Sequence, residues 1–271
     1  MRQIYFLVSK FLGLFGLAVV KTSYLESSKR LSGIGLHKIN WLIRKSSVSS
    51  SFGELDIQRI VAGTRSQLGQ DVFALSQSGS KSPGFFVEFG ATDGVALSNT
   101  YLLESEFGWD GILCEPARGW HDALTRNRSG RIDKRCVYSR SGLMVSFLET
   151  HIPELSTIDG FGEGDGHANV REKNSTYEVE TISLLDLLKF HNAPRHIDFI
   201  SVDTEGSEFE ILNAFDFSQY TFGFIAVEHN YTPARQKIKA LLLSQGYRQV
   251  YPELSDFDDW YVLHTNQNIP G

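Results

Sequence analysis

Along the chain, short apolar runs alternate with stretches whose apolar positions recur at helical spacing, which sets a βα order. Phe85, Phe86, Val87 and Phe89 form a run bounded by turn residues, as expected of a parallel strand covered on both faces. Gly90 and Gly94 follow, and residues 98–107, with Leu102, Leu103 and Phe107 on one side, read as the next helix. The theme then repeats. Residues 111–116 predict a strand that Pro116 stops, residues 120–126 a short helix, 134–138 a third strand and 144–148 a hairpin strand. Residues 177–182 read as a strand, and Ser183 with Asp186 opens a helix over 184–190. Residues 196–206 give a further buried strand ending in Asp203 and Gly206, with Ser207 and Glu210 spaced as a capping box for the helix after it. A strand over 222–227, a helix over 233–245 stopped by Gly246, and strands at 247–251 and 260–263 complete the sheet. Upstream, residues 54–75 carry helical spacing interrupted near Gly63 and Gly69. The pattern predicts one α/β domain over residues 52–271.

Residues 1–51 are of another kind. An apolar run over 4–20 is interrupted by Ser9 and Lys10, and residues 46–51 are a serine-rich linker. Three readings compete: a secretory signal, although no A-x-A pattern follows Val20; a membrane anchor, short of the ~20 apolar residues a span needs; or a simple leader. Residues 1–45 hold eight Lys/Arg and one acid, a balance of +7, so the rest of the chain carries the other 18 bases and 31 acids, a balance of −13. Basic residues behind the apolar run favour a cytoplasmic body with membrane-surface contact through residues 1–45. The acidic body argues against nucleic acid as the main partner, since phosphate binding needs a basic face. Cys114 and Cys136, both in apolar runs, are too few for a disulfide framework and read as core thiols of a reducing compartment.

Several polar residues break the apolar pattern. Glu88 lies inside a buried strand, where a carboxylate is costly to desolvate unless something hydrogen-bonds it; placed just before a glycine turn, it points to a ligand at the strand's carboxyl end. Gly90, Ala91, Thr92, Asp93 and Gly94 let the backbone approach that ligand. Glu115 ends the second strand, the position at which a ribose is held by its hydroxyls. Asp203 sits at the functional end of a later strand, whereas Glu208 and Glu210 read as helix-start charges. His229 follows another strand, and His167 lies in a glycine- and acid-rich connection over 149–174, four residues before Arg171, that reads as a lid or binding loop. Thr92 stands where a dinucleotide fingerprint needs glycine.

Glu88 to Gly94 (EFGATDG), Ser98-Asn99-Thr100, Cys114-Glu115-Pro116, the run DFISVDTEGS over 198–207 and Val227-Glu228-His229-Asn230 together resemble the FkbM-type S-adenosylmethionine-dependent methyltransferases, over about residues 52–263. The resemblance implies a class I methyltransferase fold: a Rossmann-like three-layer α/β sandwich with a mostly parallel seven-stranded sheet whose last strand is antiparallel. It implies S-adenosylmethionine as cofactor. Glu88, Gly90, Ala91, Thr92, Asp93 and Gly94 would face its methionine part, with Ser98, Asn99 and Asp203 in the same site; Glu115 would hold the ribose, and Tyr138 and Ser139 would border the adenine. The implied acceptor is a hydroxyl of a sugar, glycan, polyketide or related metabolite. For the general base the candidates are His229 and His167, with Asp203 serving instead or orienting the base. Asp203 with Glu228 or Asn230 is also similar to the acid sets that hold magnesium in catechol-type O-methyltransferases, which leaves a divalent metal open. Two rival readings remain: a nicotinamide-dependent oxidoreductase, which lacks its third phosphate glycine here, and a non-catalytic, membrane-tethered binding protein on the same scaffold.

Overall fold

The protein was analysed as a computed structural model, which describes residues 54–79, 83–150, 156–161 and 174–264. The expectations for the leader and linker, and for His167 and Arg171, lie outside the described residues. In chain order the strands are β1 Phe85–Phe89, β2 Asp110–Cys114, β3 Arg131–Asp133, β4 Cys136–Tyr138, β5 Met144–Thr150, β6 Thr157–Ile158, β7 Asn174–Ser183, β8 His196–Val202, β9 Thr221–Glu228, β10 Tyr247–Val250 and β11 Asp258–Leu263. The helices are α1 Glu54–Gly63, α2 Gln70–Gln77, α3 Tyr101–Phe107, α4 His121–Asn127, α5 Leu184–Phe190, α6 Glu208–Asn213 and α7 Ala234–Ser244.

A seven-stranded sheet has the order β10-β11-β9-β8-β1-β2-β3. β1 pairs in parallel with β2 and β8, β2 with β3 and β8 with β9, whereas β11 runs antiparallel to β9. The last strand of the chain is therefore the reversed one, as expected. All five residues of β1 are buried because the strand is central and helices cover both of its faces. Alternation sorts its side chains: Phe86 packs with Ile60, Val72, Phe73 and Leu102 of α1 to α3, and Val87 and Phe89 with Leu187, Ile211, Ile238 and Leu242 of α5 to α7. Two apolar clusters on one sheet make the three layers.

A second sheet, β4-β7-β5-β6, stands beside the first. It has its own small core of Ala117, Cys136, Phe147, Ile158 and Val179. Three expectations change here. The third strand of the main sheet is β3, which pairs with Ile112 to Cys114, and the apolar residues Cys136 and Val137 belong to the second sheet. β3 escapes a periodicity reading because it is three residues long and charged at both ends. The helix after β1 opens at Tyr101, later than the expected residue 98: Leu97 is left-handed at φ 59°, and Asn99 N and Thr100 Oγ1 donate to Glu88 at 2.7 and 2.5 Å, which holds these residues out of the helix. The capping box at Ser207 does not form, whereas Ser183 does cap α5 by accepting from Asp186 N at 3.2 Å. Among the described residues, no helix is long and apolar enough to cross a membrane.

Candidate active site

The carboxyl ends of β1, β2, β8 and β9 open on one cavity of about 280 Å³, closed from the side by Phe147, Ser156 and Ile158 of the second sheet and the approach to β6. Its polar lining combines the acids and amides Glu88, Asn99, Glu115, Asp203, Glu205, Glu228 and Asn230 with hydroxyl residues such as Thr92, Ser156 and Thr204, and among the described residues it holds no lysine or arginine.

Gly90 turns the chain at the end of β1 with φ of 69°, and its amide and that of Ala91 donate to Cys114 O at 3.1 and 3.2 Å. A Cβ on Gly90 would lie 2.6 Å from the backbone oxygen of Asp203, so only glycine lets β1 and β8 approach there. Thr92 also adopts a left-handed conformation, φ 47°, unusual for a β-branched residue. Its amide gains from that: Thr92 N donates to Glu115 Oε2 at 2.8 Å, and Ala117 N donates to Oε1 at 2.8 Å. Two backbone amides thus fix the Glu115 carboxylate at the cavity edge. Burial pushes its pKa up to about 7 against their effect.

Glu88 is only 3% exposed and is held by Asn99 N at 2.7 Å, Thr100 Oγ1 at 2.5 Å and Ser98 Oγ at 3.0 Å. Behind it stands Arg128, whose guanidinium donates to Glu104 Oε2, Thr100 Oγ1, Ser98 Oγ and the carbonyl of Gly94, and lies 3.6 Å from Glu88. Arg128 therefore ties the two halves of the segment after β1 together. Ser98 thus serves this network, and Asn99 spans the site: its Nδ2 donates to Ser201 Oγ at 2.9 Å, while its Oδ1 is buried without a partner. Asp93 and Gly94 are turn residues outside the cavity lining, and so is Ala91.

At the far wall, ligand oxygens of Asp203, Glu205 and Glu228 all lie within 4.8 Å of one another. Burial raises the Asp203 pKa to about 7, and burial together with the Asp203 charge holds Glu228 well above the usual carboxylate range. Beneath them Glu208 Oε1 accepts from Thr204 N, Thr204 Oγ1 and Gly206 N at 2.9 to 3.0 Å, shaping the turn that presents Glu205. Glu208 is thus a buried turn organiser instead of a solvated helix-start charge.

The structure moves two further expectations. His229 is buried and does not line the cavity: its Nδ1 accepts from Tyr231 N at 3.0 Å, so Nε2 carries the proton and donates to Asp258 O at 3.0 Å. With both nitrogens engaged it has no lone pair free to take a proton from a ligand, so it is corrected to a positioning role in the turn after β9. Tyr138 packs edge-on against Phe161, and neither it nor Ser139 lines the cavity; Cys136 and Val137, just before them, do. The offset follows from β4 lying in the second sheet. Both thiols are buried and protonated, Cys136 with a pKa pushed up to about 12. Sequence reading does not single out Arg128 or Glu205. Arg128 sits in Asn-Arg-Ser-Gly, which looks like a solvated turn, whereas Glu205, between Asp203 and Gly206 in a strand-end motif, carried a usable signal.

Six parallel strands with the C-terminal one reversed, and a carboxylate pinned at the end of the second, define the class I methyltransferase fold. A family profile described as the methyltransferase FkbM domain matches residues 88–262, and the chain belongs to that family. Comparison with curated proteins returns no match. Among solved structures, the methyltransferase FkbM from Methylobacillus flagellatus KT aligns over 84% of this chain and 58% of its own, with 12% identity and a TM-score of 0.43. The precorrin-6y C5,15-methyltransferase from Geobacter metallireducens GS-15 aligns over 71% and 85%, at 10% identity and 0.36. The plantazolicin methyltransferase BpumL, solved with S-adenosylhomocysteine, aligns over 84% and 98%, at 10% identity and 0.36. This chain thus spans somewhat more than half of the first of these proteins.

Proposed function

We propose that the protein transfers a methyl group from S-adenosylmethionine to a hydroxyl oxygen of a sugar, polyketide or related metabolite. The observation that carries the reading is the Glu115 carboxylate, fixed at the end of β2 by Thr92 N and Ala117 N with the cavity on its open side. In that position it accepts from the two ribose hydroxyls. The cavity suits the rest of the cofactor. The unpartnered Asn99 Oδ1 and the acids Glu88 and Asp203 favour its cationic end, and Cys136 and Val137 offer an apolar wall to its base.

S-adenosylmethionine, when bound, supplies an electrophilic methyl group on a sulfonium. The remaining task is alignment of an acceptor oxygen and removal of its proton. Of the candidate bases among the described residues, Asp203 is the one that faces the cavity, and its pKa near 7 suits a general base at neutral pH. With the cofactor bound as methyl donor and leaving as the neutral thioether, Asp203 would take the proton from the acceptor O–H. Phe147, Ile158 and Phe257 give the cavity apolar surface beside these acids.

Incubation of the full chain with S-[methyl-¹⁴C]-adenosylmethionine and a panel of hydroxylated acceptors tests this. The expected product retains label through mild base, as an ether does. Label released by mild base marks an ester and rejects the hydroxyl acceptor, and cofactor turnover with a nicotinamide in place of S-adenosylmethionine rejects the class.

A further inference from the structure

We propose that Gln67 holds the carboxylate at the amino-acid end of the cofactor, a claim that rests on the S-adenosylmethionine reading above. That end is a zwitterion, with an ammonium and a carboxylate on one carbon. Glu88, Asp203 and the unpartnered Asn99 Oδ1 suit the ammonium but offer the carboxylate nothing. Among the described residues no lysine or arginine lines the cavity, so the carboxylate has to be met by neutral N–H donors.

The segment after β1, where backbone amides commonly meet an anion, has spent most of them. Gly90 N and Ala91 N donate to Cys114 O, Thr92 N to Glu115 Oε2, Val95 N and Ala96 N to Asp93 Oδ1, and Asn99 N to Glu88 Oε1. Asn99 Nδ2 is engaged by Ser201 Oγ at 2.9 Å, and Asn230 stands just past Glu228, at the acid wall. Gln67 lines the same cavity, and its side-chain amide forms no hydrogen bond among the described residues. Its Nε2 is therefore free to donate to a ligand.

The loop between α1 and α2 is built to present that one side chain. Asp71, fully buried, accepts from Thr64 Oγ1 at 2.9 Å, Ser66 Oγ at 2.5 Å and Val72 N at 2.8 Å, and Ser66 Oγ accepts from Gly69 N at 3.1 Å. Gln70 Oε1 accepts from Leu68 N at 3.0 Å, and its Nε2 donates to Asp258 Oδ2 at 2.8 Å, which ties the loop to the start of β11. At its other edge the Arg65 guanidinium lies 5.5 Å from the centre of the Tyr101 ring, where α3 begins. Ser66 and Leu68 are buried on either side, and within the loop Gln67 is the residue that reaches the cavity. These ties put Gln67 on the side of β9 and β11, away from Glu115 at the end of β2. A ribose held at Glu115 leaves the amino-acid end of the cofactor on that side, and a loop already fixed by its own hydrogen bonds meets it at little cost in ordering.

The test is calorimetric titration of the full chain, Gln67→Met and Gln67→Glu with S-adenosylhomocysteine and with decarboxylated S-adenosylhomocysteine, which keeps the ammonium and lacks only the carboxylate. In the wild type the decarboxylated ligand is expected to bind about ten- to hundredfold more weakly, the worth of one hydrogen bond to a charged group. In Gln67→Met the two ligands should bind about equally, because the group that tells them apart is gone. In Gln67→Glu the preference should reverse, since one carboxylate then faces another. Near-UV circular dichroism verifies that each variant is folded, and the hydrogen bonds of the loop do not involve the substituted side chain. Wild-type discrimination retained in Gln67→Met, equal weakening of both ligands in that variant, or equal binding of both by the wild type overturns the proposal while the cofactor reading stands. A folded wild-type chain that binds neither ligand overturns both.

Discussion

Arg128 shows how much of this site depends on a residue that never reaches a ligand. Its guanidinium is 1% exposed and joins Glu88, Glu104, Thr100, Ser98 and the Gly94 carbonyl. Arg128→Met strands two acids, and loss of one partner of a buried pair costs about 3–5 kcal/mol. The variant is expected to lose that much in urea denaturation, and Arg128→Lys most of it, since an ammonium cannot reproduce the planar set of donors. His229→Gln should lose about 1–2 kcal/mol, because one of two hydrogen bonds from a buried ring goes unmade, yet retain its turnover. A large fall in kcat with unchanged stability would return His229 to the chemistry. At this scale, the acids at strand ends were legible because a charge next to an apolar run needs a reason. The role of Arg128 was not, because its partners come from segments 24 to 40 residues away in sequence.

At the scale of elements, the buried parallel strands were readable wherever both faces are covered. β1, β8 and β9 are near-continuous apolar runs, and they appear where expected. β3 was misplaced because sheet edges need little apolar surface, and strands read at 134–138, 144–148 and 177–182 were not recognised as a second sheet because its pairings join β5 to β7 across a long connection. Local turn chemistry also overrode pattern: Glu88 draws Asn99 N and Thr100 Oγ1 away from the start of α3, and Ser207 Oγ donates to Thr204 Oγ1 instead of capping α6. The approach of β1 to β8 gives a sharp test of this layer. Gly90→Ala places a Cβ against Asp203 O at a positive φ, which combines ~1–2 kcal/mol of conformational strain with a backbone clash. Thermal unfolding several degrees lower, with weaker S-adenosylhomocysteine binding, is expected. An unchanged melting temperature would mean that the turn has another conformation.

For the whole molecule, the concentration of acid on one cavity sets the pH dependence. Glu115 and Asp258 have pKa values raised by burial to about 7 and about 8, from ordinary values of 4.5 and 3.8. The folded chain keeps protons that the unfolded chain has lost, so stability falls as pH rises from about 4 to about 8 and levels off above that window. Melting temperatures measured in EDTA across this range are expected to decline. Glu115→Gln should flatten the slope and stabilise the protein by a few kcal/mol at pH 8 while weakening the cofactor, the usual exchange between stability and a functional site. A melting temperature that rises with pH would show that these acids are ionised in the fold. The charge contrast between residues 1–45 and the rest of the chain was legible from composition, but it says nothing about this cavity, whose acids are gathered by topology from positions 88 to 228. The most direct single measurement is calorimetric titration of S-adenosylhomocysteine into the full chain and into Glu115→Ala at pH 8, where Glu115 is ionised. One cofactor per chain with micromolar affinity, weakened at least about tenfold in a folded variant, is the predicted result. A folded wild-type chain that does not bind, or a variant that binds equally well, would contradict it.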